Sequence, residues 1–401
     1  MKRALAIVVL CATTSALGDP AAGSLKREWL EFTPVPLVGG DSDIGLGGGA
    51  LVSVARVSEN RRPYLWRLEA LAMTTFKFID GSLAVPFQDY YVYLVVPHAV
   101  PDRLELQFRV SFTKMKLNYF GVGNAAPLPE NPGSPYYRYE RTHPTARGRA
   151  LYRLNRVLEM EFGLAYTHNW VEVPVPSKLR DDALFGSETV RDLLDGFKDH
   201  AVLTNSYGLW FDTRDDKVSP RLGQLHSFRV DLSPGGTKLF PYRWARTFIS
   251  TRFYVPLAPK VVFGARLVLD ALTGQAPFYE LPRYDDTFAL GGAKGVRGVP
   301  AQRYQGELKV FGNAELRLDV AKFDLMNKSN LLGTAMFVDA GRLWATYGSN
   351  PDLDGTGLGL KFGLGFGLRV LAGKSFVIRA DLAWSPDARP MAGYFVAGHM
   401  F

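Results

Sequence analysis

The clearest pattern in this sequence is a strict alternation of apolar residues with small or polar residues in its last third. In residues 356–371, one face carries Leu358, Leu360, Phe362, Leu364, Phe366, Leu368 and Val370, and the other carries five glycines, Lys361 and Arg369. Residues 307–320 and 375–385 alternate in the same way. Because successive side chains of a β-strand point to opposite faces, the pattern predicts strands with one apolar face.

Weaker alternation runs through most of the chain from Asp41 onward, in segments of about 10 to 15 residues separated by turn residues. The predicted strands cover residues 43–54, 64–78, 87–96, 103–116, 136–143, 146–156, 158–170, 201–211, 224–232, 244–255 and 261–272. Residues 171–199 form a loop, in which Ser187 caps one helical turn that Gly196 ends. The count is 15 or 16 strands, depending on how residues 136–170 are divided.

Alternation alone fits a soluble β-sandwich as well as a membrane barrel, since both have one apolar face. Strand length and number favour the barrel, because strands of soluble proteins cluster near five or six residues. Barrels made of one bacterial chain use even strand numbers. We therefore predict an all-β fold, a 16-stranded antiparallel transmembrane β-barrel in contact with outer-membrane lipid.

The first residues predict export. Lys2 and Arg3 precede a short apolar run, and small residues follow near Gly18, as in a secretory signal peptide. We expect a signal peptide in residues 1–18, a short periplasmic tail in residues 19–40 and the barrel in residues 41–401. Cys11, the only cysteine, falls in the signal, so no disulfide is expected.

Composition argues against two other classes of function. The net charge is +8, but Lys and Arg are scattered along the strands with no basic run, so we expect no nucleic-acid partner. The sequence contains no Gly-x-Ser-x-Gly elbow and no His-Glu-x-x-His, and its six histidines are dispersed. We expect no enzyme activity, no catalytic residues, no cofactor and no metal site.

Several motifs in the second half of the chain stand out from this background. A long loop contains Gly291, Gly292, Val296, Arg297 and Gly298, and two acidic residues follow it, Glu315 and Asp339, the latter between Phe337 and Gly341. A turn motif contains Asp212, Arg214, Asp215, Pro220 and Gly223, and the sequence ends on Phe401. Together these motifs resemble the barrel domain of the BamA/TamA superfamily of bacterial surface antigens.

The resemblance implies a 16-stranded barrel in which the loop after the eleventh strand folds into the lumen. It implies that Arg297 meets Glu315 and Asp339 there, that the Asp212 motif is a periplasmic turn, and that Phe401 ends the strand that closes the barrel. The chemistry agrees, because guanidinium and carboxylate form bidentate, charge-assisted hydrogen bonds. Two positions depart from the family pattern, Val299 in the loop and His399 near the end.

The resemblance also implies a function. We expect a barrel that helps insert or translocate proteins, or lipid, at the bacterial outer membrane. Because residues 19–40 are too few for the periplasmic receptor domains of the family, called POTRA domains, we expect a separate periplasmic partner that delivers client proteins. The alternative is a passive or gated pore, or a structural barrel, whose lumen the loop plugs.

Overall fold

The structure is a computed structural model that describes residues 28–41, 45–58, 61–79, 81–100, 103–131, 133–282, 289–325, 328–372, 376–386 and 391–401. The predicted signal peptide lies outside the described residues. Most of the described chain is β-strand.

Sixteen strands follow one another along the chain. They are β1 Glu28–Asp41, β2 Gly45–Ser58, β3 Arg61–Ile79, β4 Ser82–Val100, β5 Leu104–Asn118, β6 Arg138–Arg153, β7 Leu158–Glu172, β8 His200–Asp212, β9 Gly223–Ser233, β10 Trp244–Ala258, β11 Val261–Gly274, β12 Leu308–Leu325, β13 Lys328–Trp344, β14 Lys361–Ala372, β15 Phe376–Trp384 and β16 Ala392–Ala397.

Each strand pairs antiparallel with the next, so the order in the sheet is the order in the sequence. The sheet curves into a nearly closed barrel, and the predicted fold class is confirmed. The connections after β5, β7, β11 and β13 have 16 to 33 residues, those after β6 and β10 have four and two, and the connections on either side of β9 have ten each. Long loops at one end and short turns at the other are typical of membrane barrels.

The two faces of the sheet differ as the alternation predicts. On β14, Leu364, Phe366 and Leu368 are exposed, whereas the intervening Arg369 is buried. The same division holds on β15, where Leu382 is exposed and Arg379 and Asp381 are buried. The polar face is therefore covered inside the barrel, and the apolar face points outward. No helix within the described ranges is long and apolar enough to cross a membrane.

Short helices belong to the long connections. The connection between β7 and β8 contains α1 Lys178–Phe185 and α2 Glu188–Leu193, and Ser187 caps α2 by accepting a hydrogen bond from the Val190 N–H. The connection between β13 and β14 contains α3 Pro351–Asp354. Two 3-10 turns, Pro135–Tyr137 and Phe278–Glu280, lie in the connections after β5 and β11.

Two strand assignments made from the sequence were wrong. Residues 28–40, predicted as a periplasmic tail, form most of β1, and the two segments predicted for residues 136–156 are one strand, β6. Prolines caused both errors, since Pro34, Pro36 and Pro144 are residues that usually exclude a strand interior. The two errors cancel in the strand count of sixteen.

The outward apolar face gives a test of membrane embedding. Leu368→Arg, near the middle of β14, should lower the free energy of unfolding in lipid vesicles by about 2–4 kcal/mol, because the charge would lie in hydrocarbon. The control is Leu358→Arg in the loop before β14, where Leu358 is 72% exposed. Urea titration of both variants measures the difference. Equal, small effects would mean that the exposed face of β14 is in water.

Candidate functional site

The connection between β11 and β12 crosses the interior of the barrel. At one end the Gln302 side chain accepts a hydrogen bond from the backbone N–H of Asn118 on β5. Elsewhere the backbone carbonyl of Ala293 accepts one from Arg379 on β15. Strands β5 and β15 lie ten places apart in the sheet order. A single loop can contact both polar faces only because those faces line the inside of one cylinder.

The tip of this loop is a compact turn built on the predicted glycine motif. Gly291 and Val296 form an isolated β-bridge, and the Val296 N–H donates to the Leu290 carbonyl at 2.6 Å. Gly292 and Gly298 have φ values of +89° and +96°, which residues with a side chain rarely adopt. Val296 is fully buried among Leu290, Val299 and Phe311. The turn presents the side chain of Arg297 to the barrel wall.

The structure brings Arg297 together with both predicted acidic partners. The Arg297 Nε and Nη2 donate to the two carboxylate oxygens of Asp339 at 2.7 and 2.9 Å, and its backbone N–H donates to Asp339 Oδ2 at 3.0 Å. Arg297 Nη1 donates to Glu315 Oε1 at 2.6 Å. Arg297 is 0% exposed, as is Asp339, and Glu315 is 1% exposed. These are bidentate, charge-assisted bonds away from solvent.

Further contacts complete the site beyond what the sequence predicted. Arg297 Nη1 also donates to Asp381 on β15 at 3.2 Å, and its guanidinium lies 3.4 Å from the ring centroid of Phe337. The same carboxylates are shared with wall cations, since Arg317 contacts Glu315 and Arg369 contacts both Glu315 and Asp381. We call Arg297, Glu315, Asp339 and Asp381 the arginine cluster. The sequence did indicate that Asp381 faces the lumen, because alternation places it on the polar face of a predicted strand.

The electrostatics of the arginine cluster favour the charged guanidinium. Burial alone would lower the pKa of Arg297, but the hydrogen bond and charge of Asp339 and the charge of Glu315 outweigh burial and raise the pKa above its ordinary value. A buried ion pair is stable only when its partners are complete, because each unpaired charge would keep its full desolvation cost. Three carboxylates around one guanidinium meet that condition.

A second group of buried charges holds the other limb of the loop. Arg246 on β10 donates to the backbone carbonyl of Glu280 at 2.6 Å and lies 3.0 Å from Asp270 on β11. Lys309 on β12 contacts Asp270 at 2.8 Å and the carbonyl of Leu281 at 3.1 Å. Sequence reasoning missed this group, although Lys309 lies on the same strand face as Glu315. Its partners in the loop are mostly backbone atoms, which carry no sequence signal.

Glycines on the wall give the loop room to approach. A Cβ atom at Gly363 on β14 would overlap the carbonyl oxygen of Arg297, and one at Gly341 on β13 would press against Leu290 of the loop. Gly298 in the loop lies against Ser385, and its N–H donates to the Tyr394 hydroxyl on β16 at 2.9 Å. At the predicted motif glycine Gly341, the nearest atom to such a Cβ belongs to Phe311 on β12, so the neighbouring strand and the seated loop together leave no room for a side chain.

The connection after β5 joins the top of the loop to the β13–β14 connection. The Gly123 N–H donates to the Gln305 carbonyl, and the Ala125 N–H donates to the Leu353 carbonyl, both at 2.8 Å. Arg303 donates to the Ala126 carbonyl at 2.6 Å. Tyr119 donates to Asp182 on α1 at 2.9 Å, which ties the β7–β8 connection to the same assembly. The long loops therefore form one hydrogen-bonded cap.

The predicted turn motif lies at the opposite end, between β8 and β9. Arg214 donates to both carboxylate oxygens of Asp212 at 2.9 Å, and Asp215 accepts from the N–H groups of Arg221 and Leu222. Pro220 is buried, and Gly223 has a φ of +104°. The turn combines these internal hydrogen bonds with contacts to other elements, since Arg221 donates to Asp319 on β12 and to the Pro259 carbonyl, both at 2.6 Å.

The charged groups of this site attach the loop to the barrel wall. The carboxylates of the arginine cluster bind a guanidinium, and within the described part of the chain no group of three His, Cys, Asp or Glu residues is placed to hold a metal ion. What the geometry does is hold an interior segment against β12, β13 and β15.

Comparison with known families agrees with this geometry. A family profile described as the Omp85 superfamily domain matches residues 88–401. The chain belongs to the Omp85 superfamily. This is the superfamily that the sequence motifs resemble, and its barrels are outer-membrane proteins. No curated protein sequence matches the chain.

Solved structures show the same fold as this Omp85 barrel. BamA from Haemophilus ducreyi lacking POTRA domains 1–3 superposes with a TM-score of 0.60 at 14% identity, over 98% of this chain and 75% of that one. CdiB from Escherichia coli gives 0.57 at 13% identity, over 97% and 67%. CdiB from Acinetobacter baumannii gives 0.52 at 14% identity, over 97% of this chain and 65% of that one.

One site prediction for the Omp85 barrel was wrong. Phe401 does not end the barrel-closing strand, because β16 ends at Ala397 and Gly398 turns the chain with a φ of +88°. Met400 and Phe401 are buried against Tyr254 on β10, and the Phe401 carbonyl accepts from Arg317 at 3.0 Å. The Phe401 ring lies next to the Tyr254 ring, and the guanidinium groups of Arg266 and Arg317 lie 5.4 and 5.2 Å from its centroid.

The arginine cluster predicts strong and non-additive effects of mutation. Arg297→Ala should lower the free energy of unfolding by about 3–5 kcal/mol, because it leaves buried carboxylates without their partner. Asp339→Ala should cost a similar amount, and the double variant should cost clearly less than the sum. Heat-modifiable gel migration and urea titration measure all three.

The matched control for these variants is a more exposed arginine pair. Arg221 and Asp319 pair at 2.6 Å with side chains 34% and 28% exposed, so Arg221→Ala should cost about 0–1 kcal/mol. Full additivity of Arg297→Ala and Asp339→Ala would show that the two side chains do not act together.

Proposed function

We propose that this Omp85 barrel lies in the bacterial outer membrane and assists the insertion or translocation of proteins, or of lipid. One observation carries the proposal: the lumen holds an anchored loop, whereas no ladder joins the first and last strands among the residues that the structure describes. A substrate would therefore pass along the interrupted edge rather than straight through the barrel.

The interruption is visible in the strand pairing. β1 pairs with β2 along its whole length of 14 residues, and β15 pairs with β16 along only six residue pairs. Cα atoms of β1 and β16 come within 8 Å of one another, yet no ladder joins these two strands among the residues described. We call the junction of β1 and β16 the seam. Unpaired strand edges are ready templates for another extended chain.

The anchored loop is evidence against a barrel that acts as a permanently open pore. Its two limbs are fixed by the arginine cluster and by the Arg246, Asp270 and Lys309 group, all of which are buried. Moving the loop out of the lumen would expose these charges to a new environment and cost the paired interactions of both groups. The resting barrel is therefore proposed to be closed to ions.

A separate periplasmic partner completes the proposal. Superfamily members that handle proteins use POTRA domains as receptors, and we infer that a periplasmic receptor protein delivers clients to this barrel. The partner would contact the end of the barrel with short turns, which includes the ordered turn at Asp212 and Arg214. Clients would be outer-membrane or exported proteins in extended form.

A gated pore remains the second candidate because the loop does not fill the lumen completely. A polar cavity of about 70 Å³ lies between the loop and the wall of β5 to β8, lined by residues that include Arg141, His143, Asn169 and Glu280. Such a space is large enough for a few water molecules. If the loop moved, this side of the lumen would offer a hydrated path.

Loss of the protein tests the proposed function in cells. Deletion should lower the abundance of a defined set of outer-membrane proteins, and the wild-type chain should restore them. In vivo crosslinking followed by affinity purification should recover a periplasmic protein bound to the short-turn end. An unchanged outer-membrane proteome together with no recovered partner would overturn the proposal.

Conductance in planar bilayers separates the two candidates. The wild type should be nearly silent, and Arg297→Ala should show frequent openings because the loop tip loses its buried partners. Arg221→Ala, which disturbs a pair outside the arginine cluster, should stay as quiet as the wild type. Large, steady openings of the wild-type barrel would favour the pore instead.

A further inference from the structure

Prolines inside other strands of this barrel lie where the pairing with a neighbouring strand is interrupted. At Pro144 the β6–β7 pairing skips two positions, between Thr142 paired with Trp170 and Thr145 paired with Thr167, and then resumes in the same register. The β3–β4 ladder breaks at Pro86, the β4–β5 ladder breaks at Pro97, and the β10–β11 register shifts after Pro256. Proline has no N–H to donate, so each ladder loses a bond at these points.

The two prolines of β1 behave differently. Pro34 pairs with Val52 and Pro36 pairs with Ala50, and the β1–β2 register continues without a break from Glu28 to Asp41. In an antiparallel pair, the N–H groups of successive residues point alternately toward and away from the neighbouring strand. Since Pro34 and Pro36 leave this ladder intact, their nitrogen atoms must point away from β2, toward the seam.

This placement removes hydrogen-bond donors from the middle of the seam edge of β1. By alternation the donors on that edge belong to even-numbered residues, so Phe32 and Val38 are the nearest donors on either side of the gap. At about 3.3 Å per residue, these two N–H groups lie roughly 20 Å apart. β16 has only six residues, which is about the same length. A strand of that length cannot form a continuous ladder across the gap.

We propose that Pro34 and Pro36 keep the seam from closing by preventing β16 of the same chain from zipping onto β1. The two prolines remove two consecutive N–H donors from the centre of the seam edge of β1. The carbonyl acceptors along this edge and the N–H donors at both of its ends remain. Prolines and other blocking residues on strand edges are a known means of preventing unwanted pairing. Here the pairing that they prevent is the closure of the barrel itself.

The β16 side of the seam also limits pairing with β1. After Ala397 the chain turns at Gly398 and buries Met400 and Phe401 against Tyr254 on the inner wall, so β16 does not continue alongside β1. Both strands at the seam are therefore limited, β1 by missing donors and β16 by its length. The inference rests on the proposed function at one point only: passage of a substrate between β1 and β16 requires an open seam.

Hydrogen exchange in lipid nanodiscs tests the inference directly. The variant Pro34→Thr/Pro36→Thr supplies two donors on residues that favour strands. Amide exchange in the segment 391–397, measured by mass spectrometry, should slow by roughly ten- to thirtyfold relative to the wild type, because β16 gains a paired neighbour. Unchanged exchange in that segment, in a variant that migrates as a folded barrel, would overturn the proposal.

The control is Pro144→Thr, which adds a donor to an interior ladder. It should slow exchange only in β6 and β7 and leave residues 391–397 as in the wild type. If Pro144→Thr protects β16 equally, the effect is general stiffening and the proposal is wrong. If the double variant does not fold, Pro34→Thr and Pro36→Thr are measured separately, and each should give a smaller slowing at β16.

A second readout separates this inference from the proposed function. When the double variant replaces the wild type in cells, closure of the seam should lower the same outer-membrane proteins that deletion lowers. Slowed exchange without any change in those proteins would support the role of the prolines and contradict transport at the seam. Unchanged exchange contradicts the role of the prolines whatever the proteome shows.

Discussion

The contact between Arg297 and the carboxylates of Asp339, Glu315 and Asp381 is the interaction on which the interior of this barrel depends. A guanidinium with no exposed surface is tolerable only where complementary charges surround it. Here they come from three strands, β12, β13 and β15, so the cluster can form only when the register of those strands is correct. Gly363 on the intervening strand β14 leaves space for the backbone of the loop.

The loop and the seam are physically connected. The loop tip bonds to Tyr394 on β16 through Gly298, and to Arg379 and Asp381 on β15 through Ala293 and Arg297. The strands that border the seam on one side are thus the strands that hold the loop. A displacement of β16 would strain the contact at Gly298, and a displacement of the loop would remove these contacts from β15 and β16. The loop and the seam are therefore coupled through these shared hydrogen bonds.

Much of this architecture follows from the sequence. Alternation fixes the faces of β12, β14 and β15, and the motif around Arg297 indicates its two acidic partners. The first strand was missed because Pro34 and Pro36 normally argue against a strand, and only a free edge makes them acceptable. Pro144 divided β6 for the same reason. Alternation placed Asp381 on the polar face, but neither Asp381 nor the Arg246 group could be assigned as a partner of the loop. The path of the 33-residue connection decides which wall residues it meets, and the sequence pattern does not give that path.

Reactivity of a single thiol at the loop tip tests the central claim, that the arginine cluster holds the loop inside the barrel. Val296 is fully buried and Tyr347 is 52% exposed, so Val296→Cys and Tyr347→Cys are compared in a Cys11→Ser background with a membrane-impermeant maleimide. The account predicts labelling at position 296 slower by about a hundredfold, and a rise toward the rate at position 347 when Asp339→Ala is added. Equal labelling of the two positions in the otherwise unaltered chain would contradict it.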